Sequence, residues 1–173
     1  WINEGSDQNL INYAIIKNGF IGVQTELFDP NSFLGPGTLT MNNTIIQNMS
    51  MWGLYSLAYK VRGGNNVISN CQEHCLNVVF GGVAEFIHCT FMNNWQKDKP
   101  REKSCVNLNN YTEQQVLDHA FYFGNCIIDG RRDDELTIDI KGGAGVTPSY
   151  TFSSCWIKSP VNTATDHFIS VKT

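Results

Sequence analysis

Apolar and polar positions along the chain repeat in short segments that mostly end in asparagine. One aligned position is apolar in every segment, and it is occupied by Ile16, Ile46, Ile68, Phe91, Ile128 and Ile157. The position two residues earlier is small, and it is occupied by Ala14, Thr44, Asn66, Cys89, Cys126 and Cys155. Side chains two residues apart lie on the same face of a strand, so both columns are predicted to face inward from one strand. The six segments are Leu10–Asn18, Thr40–Asn48, Arg62–Asn70, Glu85–Asn93, Tyr122–Gly130 and Thr151–Ser159.

Each closing residue is followed by a second short apolar segment, such as Gly53–Leu57 or Cys75–Val79. The closing residues recur 22 to 37 residues apart, at Asn18, Asn48, Asn70, Asn93, Gly130 and Ser159. The short spacings match one turn of a coil of short strands, and the longer ones indicate loop insertions. Asparagine at the corner tolerates left-handed backbone geometry, and its amide pairs with the coil next to it. Residues 1–173 are therefore predicted to form one all-β domain, a parallel β-helix of about six coils. The alternative is an ordinary β-sandwich.

Four stretches resemble a known group of proteins: GSDQNLINYAIIKNGFIGVQ, LTMNNTIIQN, GGVAEFIHCTFMNNW and AFYFGNCIIDG. They resemble right-handed parallel β-helix repeat proteins, particularly the surface lipoproteins of Bacteroidetes-type bacteria. The resemblance implies a right-handed coil and export to the cell surface or outer membrane of a Gram-negative bacterium. It implies no reaction, because this fold also carries polysaccharide lyases, pectin-type hydrolases and adhesins.

Charge and hydropathy exclude two classes of partner. The formal net charge is −4 and only 16% of residues are charged, so no basic face for nucleic acid is expected. No apolar run approaches the ~20 residues that a membrane-spanning helix needs, so no span is predicted in this segment.

The six cysteines are interpreted as small core residues. Cys89, Cys126 and Cys155 share one inward column, where stacked parallel strands fit disulfide geometry poorly; a disulfide there is the alternative. Cys71, His74 and Cys75 have short spacing, but a structural zinc site needs four ligands. We therefore predict no metal site and no cofactor.

Carboxylates are the groups that an enzyme on this fold would need. Glycoside hydrolysis uses two carboxyl groups about 5–9.5 Å apart. Asp133 and Asp134 are weak catalytic candidates in the turn Arg131–Glu135, but the neighbouring arginines are typical of a solvated turn with local ion pairs. The aspartate motifs of pectin-type hydrolases are absent from the sequence. Catalysis is therefore not the favoured interpretation.

The largest predicted insertion runs from Asn94 to Gln115, and insertions on solenoids often gather on the binding face. Lys97, Lys99, Arg101 and Lys103 alternate there with Asp98 and Glu102, which is typical of a solvated loop. Trp52, Tyr55, Trp95 and Tyr111 are candidate binding residues, because flat aromatic rings beside polar amides suit sugar rings. The alternative is that these rings only cover the ends and edges of the coil.

Two functions remain open from the sequence. The first is a non-catalytic surface scaffold that binds a polysaccharide or another surface protein, alone or as a subunit of an outer-membrane assembly. The second is an enzyme, a lyase or glycoside hydrolase, that degrades polysaccharide in a groove along the coil. Neither end of the sequence carries a recognisable cap for the unpaired strand edges of a solenoid, which predicts that the segment belongs to a longer exported protein or packs on partners.

Overall fold

The computed structural model describes residues 1–27, 37–96, 100–143 and 145–173, and all regular secondary structure within them is β-strand. No helix in these ranges is long and apolar enough to cross a membrane. The described strands are β1 Asn9–Asn12, β2 Ile15–Lys17, β3 Ile21–Glu26, β4 Thr38–Asn42, β5 Ile45–Met49, β6 Trp52–Leu57, β7 Lys60–Gly64, β8 Val67–Cys71, β9 Leu76–Val79, β10 Gly82–Ile87, β11 Thr90–Asn93, β12 Val106–Asn109, β13 His119–Gly124, β14 Ile127–Gly130, β15 Leu136–Asp139, β16 Tyr150–Ser153, β17 Trp156–Ile157 and β18 Phe168–Ile169.

Consecutive strands occupy three sheets in turn, so that three strands make one coil. Sheet 1 contains β1, β4, β7, β10, β13, β16 and β18; sheet 2 contains β2, β5, β8, β11, β14 and β17; sheet 3 contains β3, β6, β9, β12 and β15. All pairings between these strands are parallel. The described residues thus form five three-strand coils and a sixth built on β16 and β17. The predicted parallel β-helix is confirmed.

The predicted apolar column is the inner face of sheet 2. Its six residues pair in register from coil to coil: Ile16, Ile46, Ile68, Phe91, Ile128 and Ile157. All of them except Ile16, in the first coil, are fully buried at 0% exposure. A stack of branched and aromatic side chains in the interior supplies the hydrophobic stabilisation that holds successive coils together.

Each segment that the pattern predicts as one strand is two strands with a corner between them. The corner residue has positive φ in every coil, between 51° and 55°, at Tyr13, Asn43, Asn65, His88, Asn125 and Ser154. The small residue that follows it lies in the corner and not in the strand, so the prediction of one strand was wrong. The small column still faces the interior, where Thr44, Asn66 and Cys89 are about 1% exposed.

The closing asparagines behave as predicted in the first three coils. Asn18, Asn48 and Asn70 have φ between 54° and 62°, and Asn48 Nδ2 donates to Asn18 Oδ1 at 3.3 Å. Asn93 departs from this pattern, because it is fully buried and its Oδ1 accepts the backbone N–H of Cys71 at 3.1 Å. The closing amides therefore point outward in the first three coils, whereas that of Asn93 in the fourth coil points inward.

A second interior stack, on sheet 1, is not visible in the asparagine pattern. Phe86, Phe123, Phe152 and Phe168 pair in register, with ring centroids of neighbours 4.8–5.6 Å apart. Gly63 precedes them in the same column, and a Cβ there would lie 2.5 Å from the Phe86 ring. Glycine at that position makes room for the first ring, and offset stacking then continues to the last coil.

All six cysteines are free and buried. The thiol of Cys155 accepts the backbone N–H of Cys126 at 3.4 Å and lies 3.3 Å from the carbonyl oxygen of Phe123. The interpretation of these residues as core thiols is confirmed, and they also serve as weak hydrogen-bonding groups at the corner.

The insertion predicted between Asn94 and Gln115 is two loops, because β12 lies within it. Lys97, Asp98 and Lys99 lie outside the described residues. The prediction that Arg101 is solvated was wrong: Arg101 is 7% exposed and forms an ion pair with Glu135, which is 0% exposed. Arg101 Nη2 also donates to the carbonyl oxygen of Asn93 at 2.9 Å. This pair fastens the first loop to the interior.

Candidate functional site

The outer face of sheet 3 holds two of the four candidate aromatic residues. Trp52 and Tyr55 on β6 stack on each other, with centroids 4.5 Å apart and planes 15° apart. Trp52 Nε1 donates to Glu73 Oε2 at 2.8 Å. Burial raises the pKa of Tyr55, and the carboxylate of Glu26 acts in the same direction. The stack is thus anchored through Trp52 by its hydrogen bond to Glu73.

Trp95 lies elsewhere, in the corner between sheets 2 and 3. It lines an open concavity of about 400 Å³ with four side-chain amides, those of Asn48, Asn70, Asn94 and Gln96. We call this concavity the corner pocket. It combines one large aromatic ring with a row of groups that both donate and accept hydrogen bonds.

The coil repeat positions the amides of the corner pocket. Asn48 and Asn70 occupy the same left-handed corner in successive coils, which turns their side chains outward. Asn48 Nδ2 donates to Asn18 Oδ1, and Asn70 Oδ1 accepts the backbone N–H of Asn94 at 3.3 Å. Each amide has two donor hydrogens and two acceptor lone pairs, so these bonds leave hydrogen-bonding capacity toward the pocket.

Tyr111 belongs to a third location, beyond the end of β12. Its hydroxyl donates to Asp139 Oδ2 at 2.6 Å, and the ammonium of Lys141 lies 3.5 Å from its ring centroid. The hydrogen bond to Asp139 raises the pKa of Tyr111. One face of this ring is therefore covered by a cation. The structure brings Trp52 and Tyr55 together and leaves Trp95 and Tyr111 apart from them.

The two weak catalytic candidates lie in the turn between β14 and β15. Asp133 is exposed, and Asp134 accepts a hydrogen bond from the hydroxyl of Ser159 through Oδ1. Asp134 also lines a cleft of about 310 Å³ on the outer side of sheet 3. We call it the sheet 3 cleft; its lining residues are His74, Glu102, Lys103, Ser104, Asn107, Arg132, Asp134 and Thr137.

Most residues of the sheet 3 cleft were missed by sequence reasoning. Asn107 and Thr137 belong to one outward column of sheet 3, in which Gln24, Tyr55, Asn77, Asn107 and Thr137 pair in register. The column runs from Gln24 past Tyr55, the ring that stacks on Trp52, and reaches the cleft at Asn107 and Thr137. Apolar and polar residues alternate in the second segment of each repeat, and this alternation could have indicated the outward column. Insertions of unequal length between the repeats hide how these segments align.

His74 is held neutral at the wall of the cleft. Its Nδ1 lies 2.8 Å from the backbone carbonyl oxygen of Ser104, which only accepts hydrogen bonds, so Nδ1 carries the proton and Nε2 has the lone pair. Burial lowers the pKa of His74 to about 4, against the opposing effect of that hydrogen bond. His74 therefore acts as a hydrogen-bond acceptor at neutral pH.

No protein-family model, curated protein or solved structure matches this chain. The parallel β-helix is established by the strand pairing itself.

Proposed function

We propose that this protein is a non-catalytic carbohydrate-binding β-helix and that the corner pocket is its glycan site. The observation that carries the proposal is that Trp95 and four residues with amide side chains line one open concavity. Sugar rings present an apolar face and a rim of hydroxyls. An aromatic ring meets the first requirement and amides meet the second.

The architecture favours a binding role for this pocket. Asn48 and Asn70 are fixed by the corner geometry of two coils, so little side-chain entropy is lost when a ligand is bound. Trp95 follows closely on Asn93, which is fully buried, so the wall that carries Trp95 starts from an anchored residue. A pocket of this size fits one or two sugar units of a longer chain.

We also infer export to the surface of a Gram-negative bacterium, of the Bacteroidetes surface-lipoprotein type. The support is the resemblance of the four sequence stretches quoted above. Fractionation of the native host tests this part: recovery of the protein with the outer membrane supports export, whereas recovery in the cytosol contradicts it.

The binding proposal is tested by isothermal titration calorimetry against a panel of neutral and acidic oligosaccharides. We expect at least one neutral member to bind and Trp95→Ala to weaken that binding about tenfold or more, since the ring supplies the stacking surface. Trp156→Ala is the matched control, because Trp156 is a half-exposed tryptophan on sheet 2 and does not line the pocket.

Two results would contradict the proposal. The first is equal affinity of the wild type and Trp95→Ala for every ligand that binds. The second is turnover: the same oligosaccharides are incubated with the protein and examined for unsaturated products and new reducing ends. Turnover that Asp134→Asn abolishes would replace the binding function with polysaccharide degradation at the sheet 3 cleft.

A further inference from the structure

The sheet 3 cleft offers fixed hydrogen-bond acceptors. Thr137 Oγ1 donates to Ser104 Oγ at 2.8 Å, and Ser104 Oγ donates to the carbonyl oxygen of Val106 at 2.9 Å. Asn107 Nδ2 donates to Asn77 Oδ1 at 2.9 Å. The hydrogens of both hydroxyls are therefore used within the protein, and the hydroxyl oxygen of Thr137 keeps lone pairs that can accept hydrogen bonds. Together with Nε2 of His74, these groups suit the hydroxyl hydrogens of a sugar.

Two cations at the same cleft have no carboxylate partner. In the described part of the chain, Arg62 pairs with Glu85 and Arg101 pairs with Glu135, whereas neither Lys103 nor Arg132 forms an ion pair. Arg132 Nη1 donates to the carbonyl oxygen of Arg101 at 3.2 Å, and its Nε is buried without an acceptor. A guanidinium has five donor hydrogens, so most of the capacity of Arg132 is unused.

The position of Arg132 is fixed even though its charge is not neutralised. Its backbone N–H donates to Glu135 Oε1 at 2.9 Å, which ties the turn to the buried ion pair. Asp134, an acid that lines the same cleft, accepts a hydrogen bond from the hydroxyl of Ser159. Glu102, the other acid of the cleft, is exposed. Two cations and two acids thus line the cleft, and no ion pair joins them, so the guanidinium of Arg132 and the ammonium of Lys103 remain available to a bound anion.

We propose that the sheet 3 cleft is a second glycan site, selective for a hexuronate unit whose carboxylate lies against Arg132 and Lys103. The ring hydroxyls of that unit donate to His74 Nε2 and Thr137 Oγ1. A volume of about 310 Å³ is at the lower end of the range of small-molecule sites, which suits one monosaccharide. The inference rests on the proposed function and adds the charge class of the glycan.

The test uses three ligands: a short oligohexuronate, the same oligosaccharide after reduction of its carboxyl groups, and a sulfated neutral oligosaccharide. Calorimetry is carried out on the whole chain at about 0.05 M salt, where charge interactions are weakly screened. We expect the oligohexuronate to bind about tenfold or more tightly than its reduced form, and Arg132→Gln to remove that preference. Lys103→Gln, which changes an exposed side chain and keeps the backbone carbonyl that accepts from Arg101, weakens the preference in part.

Arg62→Gln is the matched control, because it removes a cation on sheet 1 that lies outside the cleft and is paired with Glu85.

Equal affinity for the acidic and reduced ligands, or an unchanged preference in both cleft variants, overturns the inference. Weaker binding of the sulfated ligand than of the oligohexuronate supports the assignment to a carboxylate, whereas equal or tighter binding of the sulfated ligand overturns it. If Trp95→Ala no longer binds the neutral oligosaccharide but still prefers the oligohexuronate over its reduced form, the two ligands bind at separate sites. Retained neutral binding with no acid preference leaves the proposed function standing and rejects this site.

Discussion

Asn66 Oδ1 accepts the backbone N–H of Thr44 at 2.9 Å, so that the side chain of one coil satisfies the corner of the coil before it. The same amide donates through Nδ2 to the carbonyl oxygen of Met41 at 2.7 Å. The left-handed corner breaks the ladder of strand hydrogen bonds, and a buried backbone group without a partner is costly. Polar side chains in the small inward column therefore replace the backbone hydrogen bonds that are missing at the corner. The thiol of Cys155 does the same for the backbone N–H of Cys126, with sulfur as a weaker acceptor.

Replacing Asn66 with alanine tests this role. Asn66→Ala leaves the Thr44 N–H and the Met41 carbonyl without partners in the interior, and we expect a loss of about 2–4 kcal/mol in the free energy of unfolding. Gln47→Ala, an outward position on β5, is the control and changes stability by less than about 1 kcal/mol. Urea denaturation measures both variants. A loss in Asn66→Ala no larger than in the control would show that the interior amide is not needed at the corner.

The register of sheet 2 is tested by two separate variants, each of which places one aspartate at a neighbouring position of β8. Ile68 is fully buried in the apolar column, whereas its neighbour Val67 points outward and is 39% exposed. Ile68→Asp places an unpaired charge in the interior, and we expect the folded state to be lost. Val67→Asp keeps its carboxylate in water, and we expect a fold retained to within about 1 kcal/mol. Circular dichroism melting distinguishes these outcomes, and similar melting of the two variants contradicts the register.

The sequence was sufficient to predict the column that contains Ile68, because that position is apolar in all six repeats and its spacing defines the coil. It was insufficient for Arg101, because the charges around it look like a solvated loop and its partner Glu135 lies 34 residues away. Trp95 was recognisable as a candidate, but its neighbours Asn48 and Asn70 reach it only through coil stacking. The sheet 3 cleft was missed because its members come from strands and turns separated by insertions of unequal length.

The thiols provide a test of how tightly the interior is packed. Every cysteine is at most 3% exposed, so a reagent in solution has no access to any of the six thiols in the folded protein. Because the reactive species is an accessible thiolate, we expect no cysteine to react quickly with an aromatic disulfide reagent in the native protein. All six should react in denaturant. Rapid labelling of any thiol under native conditions would reveal an opening of the coil that the structure does not contain.

The buried ion pair of Arg101 and Glu135 is expected to be needed as a pair. Arg101→Met leaves the Glu135 carboxylate uncompensated in the interior, and we expect a loss of about 3–5 kcal/mol in the free energy of unfolding. The double variant Arg101→Met with Glu135→Met removes both charges and should recover part of that loss. Its recovery is incomplete, since the backbone N–H of Arg132 also loses its acceptor. A double variant no more stable than the single one would exclude charge burial as the cause.

Stability should fall in mild acid because of His74. Its pKa is lowered from 6.5 to about 4 in the folded protein, so the unfolded chain takes up a proton first as the pH falls. The stabilisation from neutral His74 is fully present above pH 6.5 and is lost as the pH falls from 6.5 to about 4. The total loss in the free energy of unfolding across that range is about 3 kcal/mol. Burial also lowers the pKa of His119, which adds a loss of stability in the same direction.

His74→Asn keeps a donor toward the Ser104 carbonyl but does not titrate. We therefore expect it to flatten the decline in the free energy of urea unfolding across that pH range. A decline of unchanged depth in His74→Asn would assign the acid sensitivity to other groups and contradict the buried, neutral state of this histidine.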